Sequence, residues 1–416
     1  MKQMPKLNLE KSMALYEEAK KLSPGGLLGI RRPYNFIDGE YPVFIEKGYD
    51  GHIVDVDGND YIDMLCAYGP IILGYHEPEI NDAVKAQMDK GFCFTMVQEV
   101  QNELEKKLIE LIPCAEKVVL AKTGSDVTTM AVRIARGYTE RNIVLRCGYH
   151  GWHDWCVEGH GGVPQGTLDM TKEFEYGDLL GLENLLKEND GDVACVIVTP
   201  VGHPLAKPVI EPPKGYLEGV RALANKYNVV LVFDEIRTGF RVSMGGAQER
   251  YGVTPDLAVF GKAMANGYPI SACVGKTEFM DMLESKVFVS STFFPNSLEM
   301  VAALKCIEIL ERENVIDNIY EKGERFLSES KRLIKKYDVP ASVSGIPPMP
   351  FITFNKCANY KERRVRFFTE TIRRGLFIQP YHHGYIAYRH TDADIDASLK
   401  AIEEALEIIA TEYPEK

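Results

Sequence analysis

The stretch 228–269 places an acid and an amine at the ends of two short apolar runs. The first run, 229–233, has the length and β-branched composition of a buried parallel strand, and Asp234 follows it directly. The second run, 257–260, leads through a single glycine into Lys262. Ligands of open α/β sheets bind at the carboxyl ends of the strands, so we expect both side chains to lie at one site.

An acid and an amine in this arrangement suit pyridoxal phosphate. A lysine holds that cofactor as a Schiff base, and an aspartate pairs with its pyridinium nitrogen. The residues alone leave two ordinary alternatives open. Asp234 and Glu235 are also typical of the N-cap and first turn of a following helix. A glycine-lysine pair in a loop commonly leaves the lysine on the surface.

The overall composition is that of a globular enzyme with one large and one smaller domain. The chain has 416 residues, of which 45% are hydrophobic and 26% charged. Its 48 basic and 60 acidic residues give a net charge of −12. No basic stripe interrupts this acidic balance, and we therefore expect no nucleic acid partner.

The cysteines and the apolar runs indicate the cellular compartment of the protein. The nine cysteines are scattered and include no Cys-x-x-Cys pair, which is typical of reduced thiols inside the cell. Apolar runs end after about five residues, far short of a membrane span. The first residues have no apolar core like that of a signal peptide. We expect a cytoplasmic protein without a membrane partner.

The order of helical and strand-like segments predicts the fold class. Helices and strands alternate from about 99 to 260, which predicts a mostly parallel sheet with helices on both faces. The predicted strands of this part are 117–120, 142–146, 193–198, 229–233 and 257–260. Beyond 297 the pattern becomes helical, and it ends with short strands and a helix, predicted at 350–354, 376–378, 385–388 and 392–412. We predict a large domain over 66–297 and a small domain over 298–416, which residues 1–65 join.

Two further motifs have the chemistry of a cofactor site. Thr123-Gly124-Ser125-Asp126 opens a helix, where free N–H groups can hold a phosphate; an ordinary N-cap explains the same residues. Tyr149 follows the strand 142–146 between glycine-rich neighbours and can stack on a flat cofactor, or lie half-buried in a loop. His150 and His153 with a nearby aspartate suggest a metal site, but no second ligand cluster accompanies them, so no metal is expected.

Taken in order, these motifs resemble those of class III aminotransferases of pyridoxal phosphate fold type I. The matching segments are SPGG (23–26), DVDGNDYID (55–63), YGPIILGYHEPEI (68–80), TGSDVTTMAVRIARGYT (123–139), GYHGWHD (148–154), FDEIRTGFR (233–241), GVTPDLAVFGKAMANGYP (252–269) and STFFPN (291–296). The fold implied is α/β and like that of aspartate aminotransferase, with a mostly parallel central sheet, helices on both faces and a smaller α+β domain. Within the family the chain looks most like the glutamate-1-semialdehyde aminomutase branch, through SPGG, the loop carrying Arg32, and HTDADID (390–396).

The resemblance implies a role for each matching residue around the cofactor ring. Lys262 would form the internal aldimine with pyridoxal phosphate and then carry the proton between the substrate carbon and C4′ of the cofactor. Asp234 would pair with the pyridinium nitrogen and keep the ring an electron sink. Ile236 and Tyr149 would pack on opposite faces of the ring.

The resemblance also implies contacts to the phosphate and to the substrate. Gly124 and Ser125 would hold the phosphate of the cofactor. Thr292 would reach the phosphate in the neighbouring subunit, which implies a homodimer with shared active sites. Arg32 falls where the aminomutase branch binds a substrate carboxylate.

Three departures from the family pattern concern the substrate. Thr199-Pro200-Val201 replaces a common Glu-Pro-Val, whose glutamate works with a movable arginine that admits dicarboxylates. Arg237 replaces a methionine or valine of the aminomutase branch, and Phe293-Phe294-Pro295 replaces its small loop residues. These departures favour an intermolecular, ping-pong transaminase that moves an amino group between a β- or ω-amino compound, such as a β-amino acid or its thioester, and a 2-oxo acid.

Several alternatives stay open at the level of the sequence. A glutamate-1-semialdehyde 2,1-aminomutase or an amino-acid epimerase of the same family is the second enzyme interpretation, and a cofactor-binding regulator is a third. Arg237 or the pair His382-His383 is expected either to touch the substrate or to be an ordinary surface arginine and a satisfied loop pair.

Overall fold

The computed structural model describes residues 4–202, 208–294 and 296–414. The described strands are β1 Ile45–Tyr49, β2 His52–Asp55, β3 Asp60–Asp63, β4 Lys117–Ala121, β5 Ile143–Cys147, β6 Thr171–Glu173, β7 Val193–Val198, β8 Val230–Asp234, β9 Leu257–Phe260, β10 Ser271–Gly275, β11 Ala341–Ile346, β12 Met349–Phe354 and β13 Leu376–Phe377. The described helices are α1 Glu10–Leu22, α2 Pro78–Met88, α3 Glu99–Leu111, α4 Gly124–Thr139, α5 Gln165–Leu168, α6 Leu179–Glu188, α7 Tyr216–Lys226, α8 Ala247–Tyr251, α9 Thr277–Met280, α10 Met282–Ser285, α11 Ser297–Arg312, α12 Val315–Lys336, α13 Tyr360–Arg373 and α14 Asp392–Glu412. None of these helices combines the length and the apolar composition that a membrane span needs.

The described residues form two compact units. The first unit contains the described residues from Pro78 to Ile316, except 208–209. The second unit contains 208–209 and all described residues before Pro78 and after Ile316. The domain limits near 66 and 297 that the sequence suggests are therefore not the limits of these units, and they stay a prediction about how the chain folds.

A seven-stranded sheet is the centre of the first unit. Its strand order is β4-β10-β9-β8-β7-β5-β6. All neighbouring strands are parallel except β10, which is antiparallel to both β4 and β9. Every residue of β7, β8 and β9 is buried, as expected for apolar strands covered on both faces. The mostly parallel α/β sheet predicted from the sequence is confirmed.

The strand β10 is antiparallel to β9 because the connection between them is short. Parallel neighbours need a crossover of about a dozen residues or more, usually a helix. Residues 261–270 are too few for one, and they turn back through the short 3₁₀ helix Lys262–Ala265 instead. This tight return keeps Lys262 at the carboxyl edge of the parallel strands.

The other unit contains two smaller sheets. One has the strand order β1-β2-β3-β13, and the other pairs β11 with β12. Aromatic side chains fill the core beside the first sheet, where Tyr41 and Tyr61 pack around Phe377. This unit has the α+β character predicted for the smaller domain.

The strand predicted at 385–388 is wrong. Tyr385, Ile386 and Ala387 are fully buried, which explains the strand-like apolar pattern. Their backbone N–H groups, however, bond to separate segments. Tyr385 donates to Met64 and Ile386 to Pro348, so no single neighbouring strand pairs with this run.

Candidate active site

Asp234 ends β8 with a carboxylate that is almost completely buried. One carboxylate oxygen accepts the N–H of Ile236 at 3.1 Å, and the other lies 2.8 Å from Nδ1 of His150. The His150 ring is also buried and lies nearly parallel to Trp155. The backbone carbonyl of His150 accepts a hydrogen bond from the Thr128 hydroxyl at 2.7 Å. Asp234 is thus oriented by an imidazole that is itself fixed by packing.

The neighbouring Glu235 binds the start of α8 from a distance, whereas the N-cap of that helix is Gly246 and neither acid lies in its first turn. The fully buried carboxylate of Glu235 accepts the N–H groups of Ala247 at 2.8 Å and Gln248 at 3.0 Å, which begin α8. The Thr238 hydroxyl donates to it as well. Burial raises the pKa of Glu235 to about 7, although these hydrogen bonds favour its ionised form. The two adjacent acids therefore have different tasks.

Lys262 follows β9 with a left-handed backbone, φ 46°. Lys262 is half-buried, with part of its surface exposed to solvent. Burial lowers the pKa of Lys262 to about 7, and the charges of Arg237 and Arg241 lower it further, against the opposite effect of Asp234. An amine of this kind is about half neutral at pH 7, and its neutral form can act as a nucleophile or base. The surface-lysine alternative does not describe it.

The start of α4 lies against the turn that follows Asp234. Thr123 caps the helix, and its hydroxyl and backbone N–H form a reciprocal capping box with Asp126. A Cβ added at Gly124 would lie 2.6 Å from Cδ1 of Ile236, so any larger residue would have to displace the Ile236 side chain. The free N–H groups of the first turn are thereby available to an anion close to Ile236.

The loop after β5 joins the same group. The buried Ser125 hydroxyl accepts the N–H of Trp152 at 3.2 Å. Gly151, with φ 117°, lies so close that an added Cβ would be 2.3 Å from the Ser125 hydroxyl oxygen. Tyr149 comes directly before His150 in this loop, and its side chain is exposed. The predicted cofactor residues of β5, α4 and β8 therefore lie in one place.

Thr292 and Arg32 are placed differently. Thr292 is exposed in the turn after α10, and Pro295 of the same motif lies outside the described residues. Arg32 belongs to the other unit, where its Nε donates to the carbonyl of Leu27 at 3.0 Å. His382 and His383 also belong to that unit and stack on each other. The roles predicted for these four residues stay predictions.

His150 is the functional residue that the sequence interpretation missed. Sequence reasoning set aside a metal site at His150 and predicted no other role for it, whereas the structure makes His150 the hydrogen-bond partner of Asp234. The signal available was its position beside Tyr149 after a buried strand, at the sheet edge where Asp234 also ends a strand. Nothing in the local sequence identifies that distant partner.

This set of residues fits pyridoxal phosphate. The buried carboxylate of Asp234 suits a cationic ring nitrogen, and the lowered pKa of Lys262 makes its neutral amine available near pH 7. The α4 N-terminus suits a phosphate. Nε2 of His150 and the hydroxyl of Thr199 are buried and have no hydrogen-bond partner among the described residues.

Comparison with known proteins agrees with this geometry. The family model described as aminotransferase class-III matches residues 36–406. The chain belongs to the class III aminotransferases. It is 57% identical over 404 residues to the 3-aminobutyryl-CoA aminotransferase of Cloacimonas acidaminovorans (strain Evry), covering 96% of this chain and 98% of that protein. It is 33% identical to the glutamate-1-semialdehyde 2,1-aminomutase of Methanosphaera stadtmanae, over 96% of this chain and 99% of that one.

Solved structures place this aminotransferase in the same fold. The FumI protein of Sphingopyxis sp. MTA144, solved in its PLP internal aldimine form, superposes with a TM-score of 0.92 at 27% identity, over 97% of each chain. An omega-transaminase from Sphaerobacter thermophilus gives 0.88 at 26% identity, over 95% of this chain and 97% of that one. The predictions of the family, of fold type I, of a transaminase and of pyridoxal phosphate as its cofactor are confirmed.

Proposed function

We propose that this aminotransferase moves the amino group of a β-aminoacyl thioester to a 2-oxo acid by a ping-pong mechanism. The observation that carries the substrate class is the 57% identity, over 96% of the chain, to a 3-aminobutyryl-CoA aminotransferase. The site supports the reaction type, because it combines a buried acid, a neutral amine and an anion-binding helix start.

The residues of the site divide the work of amino transfer among them. Pyridoxal phosphate, when bound, supplies an electron sink that stabilises negative charge on the substrate carbon. Lys262 holds the cofactor and moves a proton at the reacting carbon. Asp234, fixed by His150, holds the ring nitrogen in its cationic state. Ile236 and Tyr149 orient the ring, and further residues hold the phosphate, namely Gly124, Ser125 and, from the neighbouring subunit, Thr292.

A second candidate is the aminomutase reaction, because several relatives of that activity are 33% identical to the chain. Arg237 and the sequence Phe293-Phe294-Pro295 argue against it, since both depart from the aminomutase pattern. An aminomutase, like an epimerase, converts its substrate without an external acceptor. The proposed transaminase needs a 2-oxo acid for every turnover.

The test is a panel of amino donors and acceptors assayed with the purified holoenzyme. We expect sustained amino transfer from 3-aminobutyryl-CoA to a 2-oxo acid, and at least about tenfold lower kcat/KM for the free β-amino acid. Lys262→Ala is the control and should show no turnover. Conversion of glutamate-1-semialdehyde without an acceptor, together with inert thioesters, would overturn the proposal in favour of the aminomutase.

We also propose that the protein is a cytoplasmic homodimer. Exposed apolar side chains in and after α2 support an interface, namely Met88, Phe92, Phe94, Met96 and Val97. The exposed Phe288 and Phe293 flank Thr292, and the N–H of Ser297 bonds to the carbonyl of Phe92. The segment that follows α2 and the segment that carries Thr292 therefore lie next to each other. All nine cysteines are free thiols, which suits a reducing compartment.

A further inference from the structure

Arg237 lies at the sheet edge that carries the catalytic lysine. It comes three residues after Asp234, in the turn that ends β8. One nitrogen of its half-buried guanidinium, Nη2, is 3.5 Å from the carbonyl oxygen of Val201, beyond the end of β7. Since β7, β8 and β9 are parallel neighbours, Arg237 and Lys262 stand at the same carboxyl edge.

Two acids of this edge already have hydrogen-bond partners of their own. The Asp234 carboxylate is bonded to His150, and the Glu235 carboxylate holds the start of α8. Thr199 stands at the end of β7, where many family members have a glutamate, and residues 199–202 contain no acid. The positive charge of Arg237 is close enough to Lys262 to lower the pKa of that amine. Arg237 thus brings positive charge close to the amine at which the substrate reacts, where it would attract a substrate anion.

We infer that Arg237 binds the carboxylate of the 2-oxo acid acceptor. This inference rests on the proposed function. Over the full reaction, a 3-aminoacyl thioester and a 2-oxo acid give a 3-oxoacyl thioester and a 2-amino acid. The thioester donor has no free carboxylate. The acceptor carries its carboxylate on the reacting carbon itself, beside Lys262. Arginine is the side chain best suited to grip such a group with two parallel hydrogen bonds.

The two halves of the ping-pong reaction test the inference separately. Rapid-mixing absorbance follows the loss of the pyridoxal form with the thioester and its recovery with the 2-oxo acid. For Arg237→Met we expect a donor half-reaction within about threefold of wild type and an acceptor kcat/KM lowered about 10- to 100-fold, as for loss of a charge-assisted bidentate bond. Arg133→Met removes the same charge from an exposed position of α4 and should change neither half.

A binding measurement gives a readout independent of turnover. Calorimetric titration of the pyridoxamine form with propanoate and with propanamide compares a carboxylate with its neutral isostere. Arg237→Met should weaken propanoate about 10- to 100-fold and leave propanamide unchanged. Arg237→Lys keeps the charge but loses the bidentate geometry. Its affinity for propanoate should therefore lie between that of the wild type and that of Arg237→Met. This variant provides the test if the methionine variant does not fold.

Two outcomes would overturn the inference. One is an unchanged acceptor half-reaction with unchanged propanoate affinity in the Arg237 variants. The other is a loss confined to the thioester half-reaction, which would assign Arg237 to the donor. Failure of the wild-type enzyme to react with any β-aminoacyl thioester would instead contradict the proposed function, and it is recognised before any variant is made.

Discussion

At the scale of single residues, Lys262 shows how a site makes an ordinary side chain reactive. Burial and the neighbouring cations lower its pKa to about 7. We therefore expect the attachment rate of pyridoxal phosphate to the apoenzyme to rise with pH up to about 7 and to level off above it, because only the neutral amine reacts. Stopped-flow absorbance measures the rate, with butylamine in the same buffers as the control. A rate that keeps rising toward pH 10 would contradict this environment.

The lowered pKa of Lys262 also predicts a lower folding stability near neutral pH. A folded-state pKa below the unfolded value means that the unfolded chain binds more protons, so stability due to Lys262 rises with pH from about 7 to about 10. Apo Lys262→Met lacks this cost. Its free energy of unfolding in urea should exceed that of the wild type by roughly 4 kcal/mol near pH 7, and the difference should shrink by pH 10. A difference that grows with pH would show the opposite sign.

His150 is predicted to position Asp234. In His150→Phe, the buried carboxylate loses a hydrogen bond worth about 1.5–3 kcal/mol, so cofactor affinity should fall about 10- to 100-fold. Equilibrium dialysis measures it, and His150→Asn should recover part of the loss. His153→Phe is the matched control, because Nδ1 of His153 bonds the Thr129 hydroxyl instead. Equal losses in both variants would assign His150 a merely structural role.

Predictability at this scale depends on sequence distance. Asp234, Lys262 and Gly124 are predicted as site residues because each stands at the boundary of an element that its own neighbours predict. The His150–Asp234 pair and the bonds from Glu235 to α8 join distant residues, and no local pattern encodes them. For that reason no role was predicted for His150 once a metal site had been set aside.

At the scale of elements, apolar runs and caps predicted most strands and helices of the sheet. The antiparallel strand β10 was missed, because Ser271-Ala272-Cys273 has few β-branched residues. It forms because β4 and β9 both pair with it. The false strand at 385–388 has the opposite cause, since burial alone produces its apolar pattern.

The capping box of α4 is predicted to serve the cofactor as well as the helix. Thr123→Val removes the cap and should cost about 1 kcal/mol of stability. It should also weaken cofactor binding several-fold, because the N–H groups that hold the phosphate lose their fixed geometry. Thr391 forms the same capping box at the start of α14. Thr391→Val should cost similar stability in urea unfolding but leave the dissociation constant of the cofactor unchanged.

At the scale of the whole molecule, the proposed homodimer connects surface and site. Met96→Glu places a charge in the exposed apolar surface around 92–97 and should shift the protein toward monomers in analytical ultracentrifugation. Cofactor affinity should fall with it, because Thr292 is proposed to act on the neighbouring subunit. Leu180→Glu, an equally apolar and exposed position on α6, should change neither. Monomeric wild type with full cofactor affinity would contradict the shared site.

The central claim is that Lys262 carries the cofactor beside Asp234. Borohydride reduction of the holoenzyme makes the bond between cofactor and lysine permanent, and peptide mapping by mass spectrometry then identifies the modified residue. We predict one cofactor per chain, attached to Lys262, and no attachment to the apoenzyme of Lys262→Ala. Stoichiometric attachment to any other lysine would contradict the account.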